Sequence, residues 1–214
     1  MAVLKNKIGL YTIDLSYLKA LSEADKEVFY SDNYHNKPFV GIMVTEDGYQ
    51  YFIPLTSAKP KHLHWANVSD RHVLIYEEAN QAAVRDSWIY KDIGNGKVKH
   101  LYSVLDIKKM IPVPRGMFHR INTKDIANQG YRFLLEREYR LILKFQDRIM
   151  ESINKTYSYQ KSTNVVREFH CDFTALEKVY DKHKTVDTLL ENASGRSGPG
   201  AGPTQPPMHR EYTI

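Results

Sequence analysis

The densest chemistry in the chain lies in Tyr51-Phe-Ile-Pro-Leu-Thr-Ser-Ala-Lys-Pro-Lys-His-Leu-His-Trp65. Its first half is a run of strand formers that delivers two hydroxyls, Thr56 and Ser57, to the strand's end. Lys59, Lys61, His62, His64 and Trp65 follow at once. Hydroxyls donate hydrogen bonds to phosphate oxygens, ammonium groups supply the countercharge, and Trp65 offers a face for a stacked base. Together they suit a single-stranded phosphodiester. A solvated basic loop after a strand is the plainer reading of the same residues.

A second set, Tyr30, Tyr34, His35 and Lys37, stands just before another β-forming run at residues 37–44. That run and residues 49–55 flank Glu46-Asp47-Gly48, which is turn chemistry, so the two predict a hairpin. Lys37 is eleven residues before Gly48 and Lys59 is eleven after it. Antiparallel pairing therefore brings Lys37, Thr56, Ser57 and Lys59 to one end of a sheet. Cations guarding a strand edge are the competing reading.

RNA carries its own nucleophile for such a site, the 2′-hydroxyl. In-line attack on the adjacent phosphorus breaks the bond to the 5′-oxygen and leaves a 2′,3′-cyclic phosphate and a 5′-hydroxyl. Positioning, stabilisation of the added negative charge and proton transfer suffice, with no metal required. Lysines fit the charge role, and a lysine crowded by cations has a lowered pKa suited to proton transfer. Ser57 or Thr56 fits a nonbridging oxygen. Metal chemistry fits poorly: His62 and His64 are two apart and would face opposite ways in an extended segment, and no acidic cluster stands near them. No GxxxxGK[ST], GxGxxG or GxSxG occurs, which argues against ATPases, dinucleotide enzymes and the usual serine hydrolases. No cofactor is called for.

The elements that must position these groups read as follows. Residues 7–13 alternate as a strand, and a helix runs from an N-cap at Ser16 to about Tyr30. Pro54 suggests an edge or terminating strand. Residues 72–77 form a strand, and residues 87–93 and 98–102 form a second hairpin across Gly94-Asn95-Gly96. A further apolar run, 103–113, is closed by Pro112 and Pro114. From Asp125 the period changes to helical, with one amphipathic helix reaching about Tyr157 and another over about 172–190. Arg137, Arg140, Lys144 and Arg148 fall at three- and four-residue steps as one basic stripe, which Lys108, Lys109 and Arg115 extend. A solvated face is the alternative to an RNA-backbone surface. Strands first and helices last predict an α+β fold with helices packed on an antiparallel sheet and a helical C-terminal half.

The 214 residues carry 30 Lys plus Arg against 25 Asp plus Glu, a net charge of +5, with 42% hydrophobic residues. This fits one globular domain with a polyanionic partner and excludes a disordered chain or a disulfide scaffold. The single cysteine, Cys171, reads as a small buried hydrophobe in a reducing compartment. No apolar run is long enough for a membrane helix and no signal peptide is visible, so a cytoplasmic protein without membrane contact is expected. Residues 1–194 read as one domain. Residues 195–214, rich in Gly and Pro, read as a flexible tail.

Lys37-Pro-Phe-Val-Gly-Ile followed by Tyr51-Phe-Ile-Pro-Leu-Thr-Ser-Ala-Lys59 resembles the paired strands of the ToxN/AbiQ family, the toxins of type III toxin–antitoxin systems. The resemblance continues in order through Leu105-Asp106-Ile107, Met110-Ile-Pro-Val-Pro114, residues 131–139 and residues 171–180. It implies a metal-independent endoribonuclease with a strongly curved antiparallel sheet, a Kid/MazF-like barrel with added helices. It also implies inhibition by a repeated RNA pseudoknot antitoxin that the toxin cuts from its precursor, a toxin–RNA assembly, and action against phage. The family's hydroxyl-and-lysine motif falls on Thr56, Ser57 and Lys59, and its upstream lysine on Lys37. The family tyrosine maps to Tyr34 with a one-residue gap, since Asn33 occupies the expected position, and Tyr30 is the fallback. The expected catalytic set is thus Lys37, Thr56, Ser57, Lys59 and Tyr34. Expected RNA contacts are Tyr30, Lys61, His62, His64, Trp65, Arg115, Arg137, Arg140, Lys144 and Arg148. A non-catalytic single-stranded RNA-binding protein using the same basic groove is the alternative.

Overall fold

The computed structural model describes residues 8–31, 37–45 and 48–194. Eight strands form one sheet: β1 (Gly9–Ile13), β2 (Phe39–Val44), β3 (Gln50–Ser57), β4 (Val73–Asn80), β5 (Ile89–Gly94), β6 (Lys97–Leu105), β7 (Ile111–Pro112) and β8 (Phe118–Arg120). Helix α1 (Leu15–Ala24) follows β1, and α2 (Gln129–Lys144), α3 (Gln146–Thr163) and α4 (Phe173–Ser194) close the chain. The α+β class and the antiparallel pairing agree with the sequence reading. The strand path β4-β6-β3-β2-β1-β8 ends at β4 and β8. The two ends do not pair among the described residues, so the expected barrel is an open sheet here.

Local chemistry explains the elements. The β5–β6 hairpin turns on Gly94, Asn95 and Gly96, all with positive φ, the conformation these residue types tolerate. The β2–β3 hairpin forms as expected, but its register sets Phe39 opposite Pro54 and Val40 opposite Ile53, with a bulge between Gly41 and Met43, so Lys37 falls opposite Thr56 and not Lys59. Its turn residues 46 and 47, residues 1–7 and the Gly/Pro-rich 195–214 lie outside the described residues.

Pro54 corrects one expectation, because β3 is a central strand. It pairs with β2 along one side and with β7 and then β6 along the other. β7 covers Tyr51 and Phe52, and β6 takes over at Leu55. Pro54 sits at the change of neighbour, where no ladder donor is needed.

α1 is shorter than expected, and its N-cap position falls on Asp14, whose side chain makes no capping hydrogen bond, and not on Ser16. The long basic helix is also corrected. It breaks at Phe145 (φ −98°, ψ 7°), dividing α2 from α3. Neither proline nor glycine marks the break. The Phe145 ring packs against Tyr76 of β4 at 5.4 Å, so a tertiary contact fixes it. The buried face continues from Leu135 and Ile142 into Ile149 and Ile153, which is why periodicity alone shows one helix.

The main core joins Ile53, Ile75 and Leu105 of the sheet to Leu135, Ile149 and Leu176 of the helices. A smaller cluster, Leu74, Leu101 and Val104, is covered by Leu63 and Trp65 of the loop after β3. Both faces of β6 are therefore packed, and this anchors the loop that carries the lysines.

Candidate nucleic-acid site

The site forms at the C-terminal end of β3. The Leu55 N–H donates to Pro38 O at 3.0 Å, so the hairpin register continues and sets Lys37 across from Thr56. On the other side, Leu55, Thr56 and Ser57 pair with Leu105, Val104 and Ser103. The Asp106 N–H donates to Pro54 O at 3.2 Å, which carries a carboxyl to the same end. Side chains alternate along a strand, so Thr56 and Ser57 leave β3 on opposite faces. Thr56 is half-buried and Ser57 exposed. Three strands and the loop after β3 thus gather Lys37, Thr56, Ser57, Lys59 and Asp106.

Lys37 lies over the Phe29 ring, 4.6 Å from its centroid. Burial holds its ammonium below the usual lysine range, the charge of Lys59 adds to that, and Asp106 opposes it. Burial pushes the Asp106 carboxyl up, against the pull of Lys108, Lys109, Lys37 and Lys61. Asp106 Oδ1, Thr56 Oγ1 and His100 Nδ1 are buried and have no hydrogen-bond partner among the described residues. Thr56 and Asp106 stand at the paired ends of β3 and β6, and His100 lies further along β6. Buried polar atoms normally find partners, and such a group of exceptions calls for an explanation. Glu138 of α2 is also buried nearby, and burial pushes its carboxyl up to about 7.

The loop residues divide. His62 is buried, 4% exposed, and does not face solvent as an RNA contact would. Its Nδ1 accepts from the Lys59 N–H at 3.0 Å while its backbone N–H donates to Lys59 O at 2.9 Å. Burial first, and then the charges of Lys61 and Lys59, lower its pKa. His62 thus holds Lys59 in place. Trp65 is half-buried between His62 and His72, with ring centroids at 4.4 and 4.6 Å. Lys61 and His64 are exposed beside it.

Tyr34 and His35 lie outside the described residues, and Tyr30 packs half-buried against the core. The residues of the basic stripe are all exposed but have different neighbours. Arg137 pairs with Glu77 at 2.6 Å, and Arg140 lines a cleft of about 790 Å³ with Leu10, Arg120, Phe133 and Tyr139. Lys144 is exposed at the end of α2, and Arg148 is exposed on α3 beyond the break. Arg115 is exposed, whereas Lys109 is buried and paired with Glu27.

Two residues near the site escape a reading of the sequence. Asp106 is visible there only inside a family motif, and nothing in its spacing marks it as a site residue. Phe29 carries no local signal, because its partner Lys37 meets it only in the fold. Among the described residues, no three His, Cys, Asp or Glu side chains come together to hold a metal ion. No described helix is long and apolar enough to cross a membrane.

Residues 9–181 match the protein family described as Toxin ToxN, type III toxin–antitoxin system, and the chain belongs to that family. It is 28% identical over 202 residues to Endoribonuclease ToxN of Bacillus thuringiensis subsp. kurstaki, covering 90% of this chain and 92% of the relative. It is 24% identical to Endoribonuclease ToxN of Pectobacterium atrosepticum over 173 residues, covering 79% and 90%. A solved structure from a study of type III toxin inhibition by a non-coding RNA pseudoknot has the same fold. Its TM-score is 0.64 at 24% identity, covering 84% of this chain and 99% of that one. AbiQ, a lactococcal anti-phage endoribonuclease, aligns with a TM-score of 0.57 at 18% identity, covering 84% and 99%.

Proposed function

We propose that this protein is the endoribonuclease toxin of a type III toxin–antitoxin system, acting in the cytoplasm on cellular or phage RNA. The observation that carries the reading is the convergence of Lys37, Thr56, Ser57 and Lys59 on one end of β3, beside buried polar atoms without partners. Its relatives are named as endoribonucleases, and the family supplies the toxin–antitoxin setting.

The proposed reaction is metal-independent transesterification. The 2′-hydroxyl attacks the adjacent phosphorus, the bond to the 5′-oxygen breaks, and the products are a 2′,3′-cyclic phosphate and a 5′-hydroxyl. Lys37 and Lys59 stabilise the charge that grows on the phosphoryl oxygens. The Ser57 and Thr56 hydroxyls donate to nonbridging oxygens from the two faces of the strand end. Asp106 acts on Lys37 as a positioning residue, because its carboxyl favours the charged ammonium. Tyr34 completes the proposed set. A repeated RNA pseudoknot that the toxin cuts from its precursor occupies the same basic surface as inhibitor.

Incubating pure protein with RNA in excess chelator tests the reading. New fragments ending in 2′,3′-cyclic phosphate are expected, and Ser57→Ala and Lys59→Ala should abolish both the fragments and growth arrest at wild-type protein level. Binding without new RNA ends would leave the non-catalytic RNA-binding reading standing in its place.

A further inference from the structure

The turn between α3 and α4 shows three features that packing does not account for. The His170 N–H donates to Arg167 O at 3.1 Å, so residues 167–170 form a β-turn. Phe169 occupies its third position with φ +62°. That position with positive φ belongs to glycine or asparagine, and a bulky side chain there is strained. The strain is not repaid by full burial, because Phe169 is 54% exposed, with Val165 and Val166 exposed beside it. His170 Nε2, next in the chain, is buried without a partner among the described residues.

Cations surround the turn and link it to the site. The Cys171 N–H donates to Lys108 O at 2.9 Å, and the Lys108 N–H donates to Arg71 O at 3.1 Å. The turn therefore rests on a segment two residues from Asp106. The charges of Arg71, Arg167 and Lys108 all act on His170, and the charge of Lys108 acts also on Asp106. The Arg167 guanidinium stacks on Tyr159, 3.7 Å from its centroid, and pairs with Asp70. Glu168 is the other acid in the turn. Lys108 thus contributes positive charge both at the end of β3 and at the turn, and a polyanion is attracted to both places.

We propose that the turn at Phe169 is a docking point for single-stranded RNA continuing from the cleavage site. The Phe169 ring stacks an unpaired base, and Arg71 and Lys108 hold the flanking phosphates. The proposal rests on the endoribonuclease reading above. An exposed aromatic ring among cations is the arrangement that binds single strands without sequence preference. The energy held in the strained backbone is what keeps the ring presented to solvent.

Phe169→Gly tests the proposal with little risk to the fold, since glycine relieves the strained φ and melting should be no lower than wild type. In a Ser57→Ala background, affinity for a 20-nucleotide unstructured RNA should fall roughly tenfold, as expected for one lost stacked base. In the cleaving enzyme the same change should raise KM and leave kcat alone. Arg71→Gln should lower the salt slope of binding by about one. If the wild type binds this RNA and Phe169→Gly binds it equally well, the proposal is overturned, and Phe169 with its two valines faces a protein partner instead. A fall in kcat without a change in KM overturns it as well. Wild-type protein that neither binds nor cuts RNA overturns the endoribonuclease reading itself.

Discussion

The two ends of β3 follow opposite rules. At Tyr51 every polar group is answered. Its hydroxyl donates to Glu177 Oε1 at 2.8 Å, the Tyr157 hydroxyl donates to the same oxygen at 2.9 Å, and Lys161 pairs with Oε2. Nearby, the Gln160 side chain donates to Cys171 O at 2.9 Å and accepts from the Phe173 N–H at 2.6 Å. Five residues along, roughly 17 Å at about 3.3 Å per residue, Thr56 Oγ1 and the adjoining Asp106 Oδ1 are buried with no partner among the described residues. A satisfied buried network rigidifies a fold. An unsatisfied buried hydroxyl costs about 1–3 kcal/mol and is kept where something other than stability is selected. One strand thus ends in a satisfied network on one side and in unpartnered buried polar atoms on the other, which is the contrast the proposed reaction site calls for.

The contrast predicts that activity and stability separate along β3. Lys37→Ala should give the largest effect, a fall in RNA cleavage of about 10³-fold, with melting temperature nearly unchanged. Single-turnover rates and calorimetry on one preparation check both halves. An equal loss of stability would place Lys37 in the scaffold.

Glu177→Ala should do the reverse. It strands Tyr51, Tyr157 and Lys161, which predicts a loss of about 3 kcal/mol in urea unfolding, with kcat retained below the new midpoint. Asp106→Asn sharpens the contrast at the site. The Asp106 charge raises the Lys37 pKa, so its removal lowers that pKa further, and the alkaline limb of the cleavage profile should move to lower pH. A profile that keeps its limb would sever Asp106 from Lys37.

The smallest effect is the most pointed. Thr56→Val replaces a hydroxyl without a partner by a methyl of similar shape. It should leave stability equal or raise it by about 1 kcal/mol while slowing cleavage about tenfold. A clear drop in stability would show that the Thr56 hydroxyl already has a partner in the folded chain.

Much of the site is legible from the chain alone, for a local reason. A hairpin brings its two outer ends together, so counting out from Gly48 is enough to bring Lys37 to the same end as Thr56, Ser57 and Lys59, although the observed register, with a bulge between Gly41 and Met43, sets Lys37 opposite Thr56 and not Lys59. The same logic yields the β5–β6 turn and the switch from period two to period 3.6 at α2. Where two distant segments must meet, the sequence is silent. The break at Phe145 needs Tyr76, and the change of neighbour at Pro54 needs both β6 and β7. The seating of the loop that buries His62 needs the Leu74–Val104 cluster beneath Leu63 and Trp65.

The amino-acid sequence by itself determined the strand-then-helix order, the basic charge and the pairing of a lysine with two hydroxyls, because these depend on side-chain type and short-range spacing. Only the tertiary structure decided that Asp106 joins them, that Arg137 turns to Glu77 while Arg140 lines a cleft, and that β4 and β8 end the strand path among the described residues. Those outcomes depend on which non-neighbouring surfaces bury one another, and many sequences with the same local pattern would settle that contest differently.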